Sequence, residues 1–428
     1  MITEREGGSE EEQVRNRSPL SPIEGKGKQA SLEGAFDSCY RVEREEGIVM
    51  TSGQHDALGT EFLTAVYEVD GSETEARAQA ERICLEQTIE ADADLLPPPL
   101  RANILGRLED LRSLGEERYE ATIRYPGDLV GNDHSDLLNL LFGMSSLRSG
   151  VRLLSFTLTK GLLSLWHGPR YGVAGLRQAV GAFNRPLVCA VLKPLGCSPN
   201  ELAKRATQFV HGGADLIKDD QALLDQPVCP FDERVARCAE AIVDASAERG
   251  RPCLYFAHVS GAWESMRRRA ALAKRLGATG LLVAPGLTGF DALRALVEDQ
   301  TLALPVASHP SFLGACVSRS SGLAPAVAYA LLPRLAGADL TIYPRFEAGY
   351  LMSREACQAV AMNSRQPWEH IQPTMPAVGG RMGVEWMAEM SAALGPDTVF
   401  LLGSRIQQDE RGAVWAIEEF QRRLRDVS

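Results

Sequence analysis

Between residues 187 and 402 the chain repeats one pattern eight times: a short, nearly all-apolar run, then a more polar stretch. The runs fall at 187–192, 214–217, 253–257, 280–283, 305–307, 339–342, 374–377 and 398–402. Intervening segments such as 199–210, 232–247, 265–276, 324–335 and 384–394 carry helix-compatible patterns. Apolar runs this short suit strands covered on both faces, which parallel sheets under helices provide. Eight strands alternating with helices predict a closed (β/α)8 barrel. The alternative, an open doubly wound sheet, would favour Gly-x-Gly-x-x-Gly after the first strand, and none stands there.

Upstream the texture differs. Residues 62–69 alternate as a strand and 73–86 read as a helix. Segments 103–108 and 119–124 read as strands, set off by Pro97-Pro98-Pro99 and Pro126-Gly127. A helix over 136–142 and a strand over 151–158 complete a β-α-β-β-α-β order, that of a ferredoxin-like α+β domain. The expected layout is a charged, disordered tail over 1–57, the ferredoxin-like domain over 58–165 and the barrel over 166–428. In the tail only Cys39-Tyr40 and Ile48-Val49-Met50 offer apolar anchors, too few for a core.

Composition narrows the partners. A net charge of -11 argues against nucleic acid and anionic membrane surfaces, both of which call for basic faces. No apolar run approaches the roughly 18 residues of a membrane span, and Met1 to Arg17 lack the apolar centre of a secretory leader. The nine cysteines are scattered without a C-x-x-C pair, which predicts reduced thiols and a cytoplasmic location.

In a barrel of this kind the chemistry gathers at the carboxyl ends of the strands. Those ends supply Lys193 after the first run, and Lys218, Asp219, Asp220 and Gln221 after the second. The third offers His258, and the fifth Ser308 and His309. The seventh and eighth end in matching turns, Gly379-Gly380-Arg381 and Gly403-Ser404-Arg405. Small residues let backbone N–H groups approach a phosphate and arginine adds charge-assisted bonds, so these turns predict a phosphorylated small substrate. The competing reading pairs Arg381 and Arg405 with nearby acids. Lys193 and Lys218 lie on adjacent strands, where mutual repulsion and burial lower an amine's pKa. Either is then available as a general base, as a Schiff-base nucleophile, or as an amine that takes up CO2 to form a carbamate. A carbamate beside Asp220 would offer oxygen ligands to Mg2+.

These residues resemble the RuBisCO large-chain superfamily, and in particular its RuBisCO-like branch, over about residues 60–425. The match runs in order through Gly168-Pro169, Arg185-Pro186-Leu187, Lys193-Pro194, and Gly213-Ala214-Asp215-Leu216-Ile217-Lys218-Asp219-Asp220. It continues through Leu287-Thr288-Gly289-Phe290, His309, Met375-Pro376 with Gly379-Gly380, and Asp397 to Gly403. The resemblance implies a ferredoxin-like domain followed by a barrel, in a homodimer with shared active sites. It implies that Lys218 is the carbamylated lysine, Asp220 a Mg2+ ligand with Gln221 beside it, and Lys193 the residue that handles the enolisation proton. His309 corresponds to a rim histidine, Gly380 and Gly403 to phosphate-holding glycines, and Glu86 to a glutamate that reaches the partner's site.

The departures are specific. Gln221 replaces the second acidic metal ligand, and Lys193-Pro194-Leu195-Gly196 lacks the second lysine of Lys-Pro-Lys-Leu-Gly. Pro310 stands where an arginine would hold a second phosphate, and the loop 344–354 contains no lysine. Leu140 replaces an asparagine, with Asn139 next to it. Carboxylation of ribulose bisphosphate is therefore not expected. The pattern is closest to the 3-oxo-isoapionate 4-phosphate decarboxylases and transcarboxylases, which implies Mg2+-dependent enediolate chemistry on a singly phosphorylated keto sugar acid. The alternatives are a methionine-salvage enolase or isomerase and a catalytically silent phosphate-binding protein.

Overall fold

A computed structural model describes residues 61–91, 93–318 and 320–427. The expected tail over 1–57 lies outside the described residues. Eight parallel strands close into a barrel: Leu187–Leu192, Leu216–Asp219, Leu254–His258, Gly280–Val283, Val306–Ser308, Leu340–Pro344, Met375–Gly379 and Val399–Leu402, called strands 1 to 8 below. Each neighbours the next, and strand 8 pairs with strand 1. Helices such as Pro199–His211, Phe231–Arg249 and Arg354–Arg365 cover the outside.

Period-two geometry splits each strand between two cores. Leu187, Cys189, Val191, Leu216, Phe256, Ile342, Ala377 and Leu401 fill the barrel interior. Val188, Ala190, Ile217, Tyr255, Val378 and Phe400 face the helical shell. Leu176 and Val180, from the helix Gly172–Val180, plug the amino-terminal end. At that same end the Arg185 guanidinium holds both carboxylate oxygens of Asp215 at 2.7 Å, ahead of strand 2.

The N-terminal domain is an antiparallel sheet in the order Val151–Leu158, Phe62–Asp70, Arg118–Pro126, Arg107–Gly115. The helix Glu73–Glu86 starts with a capping box in which Ser72 and Glu75 exchange hydrogen bonds. One expectation fails here: residues 103–108 are not a single strand. Pro97 to Pro99 favour a helix start, and a helix runs over Pro98–Ile104 before the strand begins at Arg107. That strand is an edge, mostly exposed and polar, so apolar alternation does not mark it.

Contacts between the two domains include a strand and a helix cap. Gly322–Leu323, in the segment after strand 5, adds a short parallel strand beside Val151–Leu158. The Asp291 carboxylate accepts the backbone N–H groups of His134 (2.7 Å) and Ser135 (3.0 Å), capping the helix His134–Phe142. No helix among the described residues is long and apolar enough to cross a membrane. The eight cysteines among them are all free.

Candidate active site

Strand parity sorts the charges of the second strand end. Leu216 points into the barrel, so Lys218 and Asp220 do too, while Asp219 points outward. Lys218 is buried, and its Nζ donates to the Asp219 carbonyl oxygen at 2.9 Å. Burial pushes its pKa below the usual lysine range, and the neighbouring charge of Lys193 acts in the same direction. The neutral amine this favours is the form that attacks CO2 or a carbonyl.

Lys193 follows inward-facing Val191 by two residues and enters the same space. Its Nζ stands 3.6 Å from Asp220 Oδ2, whose other oxygen accepts the Ala222 N–H at 3.0 Å. A Cβ at position 403 would lie 3.4 Å from that Nζ. That is ordinary contact distance, so Gly403 and the Lys193 amine lie against each other in the cavity wall.

Asp219, by contrast, is a structural acid. Its carboxylate accepts Arg234 Nε at 3.2 Å, the Tyr255 hydroxyl at 2.9 Å and the His258 N–H at 3.0 Å, in the layer between strand and helix. His258 does not reach the cavity either. Its ring is buried with Nε2 2.8 Å from Ser260 Oγ, and burial lowers its pKa to about 3, so it stays neutral. Ser308 is also buried on the outward parity. His309 does enter the cavity. Its Nδ1 accepts the Ser311 N–H at 3.2 Å, which places the ring proton on Nε2, and burial holds its pKa well below the usual histidine value.

Across the rim stand the two glycine turns. Gly380 has φ +100°, and a Cβ there would sit 2.9 Å from the Ala348 side chain, so only glycine suits the turn. Buried Arg345 props this turn by donating from Nε to the Gly380 carbonyl oxygen at 2.8 Å while stacking 3.8 Å over Trp386. Arg381 is exposed, with φ +50°, and has no ion-pair partner among the described residues. Arg405 instead forms an ion pair with Glu385, so the competing reading of the arginines holds for one of the two. Sequence reading missed Arg345 and Glu385. Arg345 directly follows strand 6, a rim position inspected only for lysine.

The inward-facing groups share one cavity of about 840 Å3. It is lined by Lys193, Lys218, Asp220, Gln221, His309, Gly379, Gly380, Arg381, Gly403, Ser404 and Arg405. Of the residues that the family resemblance assigns to the site, Glu86 does not line the cavity, and of the other strand-end candidates neither do Asp219, His258 and Ser308. Glu86 ends the helix Glu73–Glu86 and is held by Arg148, whose Nε donates at 2.7 Å. Leu140 is buried in the N-terminal domain, and the Asn139 carbonyl oxygen accepts the Gln87 side-chain amide.

The cavity is electrically one-sided. Its lysines and arginines, Lys193, Lys218, Arg381 and Arg405, come from the ends of strands 7, 8, 1 and 2, which are consecutive around the barrel. Strands 5 and 6 contribute neutral His309 and a wall of Pro310, Phe312, Ala315, Tyr329 and Ile342. A cation lining the cavity from that side is missing among the described residues. As a metal site the arrangement is lean, since no group of three His, Cys, Asp or Glu side chains converges among the described residues. Among the described residues that line the cavity Asp220 is the lone carboxylate, and exposed Gln221 beside it makes no hydrogen bond to another described residue. These two hard oxygen donors fit a Mg2+ that keeps water or substrate oxygens, and a carbamate on Lys218 would complete the set.

Comparison with known proteins decides the family. Residues 172–414 match the model of the ribulose bisphosphate carboxylase large chain, catalytic domain. The chain belongs to the RuBisCO large-chain family. It is 33% identical to ribulose bisphosphate carboxylase-like protein 1 of Rhodopseudomonas palustris, over 81% of this chain and 93% of that one. It is also 33% identical to the 5-methylthioribulose-1-phosphate isomerase of Rhodospirillum rubrum, over 81% and 92% of the two chains. The crystal structure of a Rubisco-like protein from Rhodopseudomonas palustris superposes with a TM-score of 0.78 at 31% identity, covering 86% of this chain and 98% of that one. Its relatives are thus RuBisCO-like proteins, and its barrel and N-terminal mixed sheet are those of the family.

Proposed function

We propose that this chain forms an enediolate from a singly phosphorylated keto sugar, with Lys193 moving the proton. The observation that carries the reading is the one-sided cavity, in which the Lys193 amine lies between the phosphate-type turns and Asp220. A phosphate resting on Gly379-Gly380-Arg381 and Gly403-Ser404-Arg405 places the adjoining carbons beside that amine. Neutral His309 offers a hydrogen bond from Nε2 to a carbonyl or hydroxyl oxygen. Asp220, Gln221 and a carbamylated Lys218 are the residues that would hold Mg2+, which supplies Lewis-acid polarisation of a carbonyl when bound. Among the described residues the opposite end offers no cation for a second phosphate, which supports a substrate with a single phosphate.

The enediolate is proposed to arise by loss of CO2 from, or its transfer out of, a keto sugar acid such as 3-oxo-isoapionate 4-phosphate. Breaking the carbon–carboxylate bond leaves the electron pair on the carbon next to the carbonyl, and protonation from Lys193 completes the exchange. A second reading, isomerisation or enolisation of a methylthio-sugar phosphate, is favoured by the apolar wall at Pro310 and Phe312 and by the isomerase among the relatives. In both readings the site is shared between two copies of the chain. Exposed Leu195, Val228, Trp263, Leu287 and Tyr350, in the segments that follow strands 1, 2, 3, 4 and 6, offer a partner an apolar rim.

The test is to supply Mg2+, bicarbonate and a panel of keto sugar monophosphates, following CO2 release and isomer formation. The panel includes 3-oxo-isoapionate 4-phosphate and 5-methylthioribulose 1-phosphate. Lys193→Ala is expected to slow the active substrate by about 10²- to 10⁴-fold with the fold intact. Near-normal turnover by Lys193→Ala overturns its role. Phosphate binding without turnover of any substrate would favour the silent reading.

A further inference from the structure

The segment expected as a helix over 324–335 contains an irregularity with a chemical consequence. Residues Val327–Leu331 form a π-turn, which passes into a short α-helix at Leu332–Leu335. The cause is Pro333. A regular helix would bond the Tyr329 carbonyl to the N–H four residues on, but proline has none and its ring crowds that carbonyl. The helix widens instead, and Thr341 on strand 6 donates its hydroxyl to the Tyr329 carbonyl oxygen at 2.5 Å. Turns of this kind recur at functional sites.

Here the widened turn sets Tyr329 in the wall of the active-site cavity. The residue is only 5% exposed. Its hydroxyl stands 3.8 Å from where a Cβ on Gly314, another cavity-lining residue, would lie. That hydroxyl has no hydrogen-bond partner among the described residues. Burial pushes the phenol up to about 12, so it keeps its proton and remains a donor. Its neighbours in the wall, Phe312 and Ala315, are apolar. A donor open to the cavity is met by water in the free protein and by an acceptor of the ligand in the complex.

We propose that Tyr329 is a specificity-determining residue whose hydroxyl donates a hydrogen bond to an uncharged oxygen at the end of the substrate remote from its phosphate. The assignment rests on the one-phosphate reading above and sharpens it. A hydroxyl or carbonyl oxygen satisfies the donor, whereas a thioether sulfur, a weak acceptor, leaves it unmet. The site therefore selects a polyhydroxylated sugar over a methylthio-sugar. Sites built to bond a substrate oxygen discriminate strongly against analogues that lack it.

The test uses ligands without a carbonyl, so that turnover does not intervene: inorganic phosphate, ribitol 1-phosphate and 5-deoxyribitol 1-phosphate. Calorimetric titration of the full chain is expected to show ribitol 1-phosphate binding on the order of tenfold more tightly than the deoxy analogue. In Tyr329→Phe that gap should shrink to within about twofold, with phosphate affinity and melting temperature nearly unchanged. An unchanged gap in Tyr329→Phe, or no gap in the wild type, overturns the assignment while leaving the phosphate site standing. Failure of the wild type to bind either phosphate ligand overturns the assignment together with the reading it rests on.

Discussion

The two ends of the cavity are built from different materials. At the ends of strands 7, 8, 1 and 2 stand glycine turns, two arginines, two lysines and one aspartate. At the ends of strands 5 and 6 stand proline, aromatic rings, a neutral histidine and the Tyr329 phenol, which has no hydrogen-bond partner among the described residues. A symmetric substrate with an anion at each end would waste one of its charges in such a site. The difference teaches that the described cations of this RuBisCO-family barrel gather at one end of the cavity, which is why the proposed substrate has one anionic terminus and a second end read by shape and a hydrogen bond. It also explains why Pro310 matters: the position that could have carried a cation instead rigidifies the wall.

The charged end can be broken at Arg381, the arginine without an ion pair among the described residues. Arg381→Ala should weaken inorganic phosphate and sugar monophosphates by roughly ten- to a hundredfold and leave unphosphorylated analogues unaffected. Arg405→Ala should cost less, because Glu385 already occupies that guanidinium. Equal losses for both, measured by titration, would mean that the ion pair opens when ligand binds. A smaller effect sharpens the same point from the other side. Glu385→Gln releases Arg405 and removes a negative charge from the rim, and should tighten phosphate by about two- to fivefold, as expected of an exposed pair worth under about 1 kcal/mol. Weaker binding in that variant would show that Glu385 orients Arg405 toward the ligand.

Much of this was legible in the sequence because burial on both faces leaves a plain signature. The barrel strands read as apolar runs, and their ends pointed to Lys193, Lys218, Asp220, His309 and both glycine turns. Adjacent residues were harder. Asp219 and Asp220 look equivalent in a list of strand ends, yet strand parity sends one to Arg234 and Tyr255 and the other into the cavity. The parity was available from inward-facing Leu216. The edge strand Arg107–Gly115 was missed because half its environment is solvent, so its residues carry no apolar alternation. Arg345, Tyr329 and Glu385 act through partners distant in sequence, which no local pattern reports. Pro333 inside an otherwise helical segment was the one visible hint of the π-turn that carries Tyr329.

The central claim is that the cavity accepts one phosphate, and titration of ribulose 1-phosphate against ribulose 1,5-bisphosphate tests it most directly. The second phosphate finds no cation at Pro310, so the two ligands should bind within about threefold of each other. A bisphosphate that binds at least about a hundredfold more tightly would contradict the account, since that gap is on the order of 2.7 kcal/mol and calls for a second anion site.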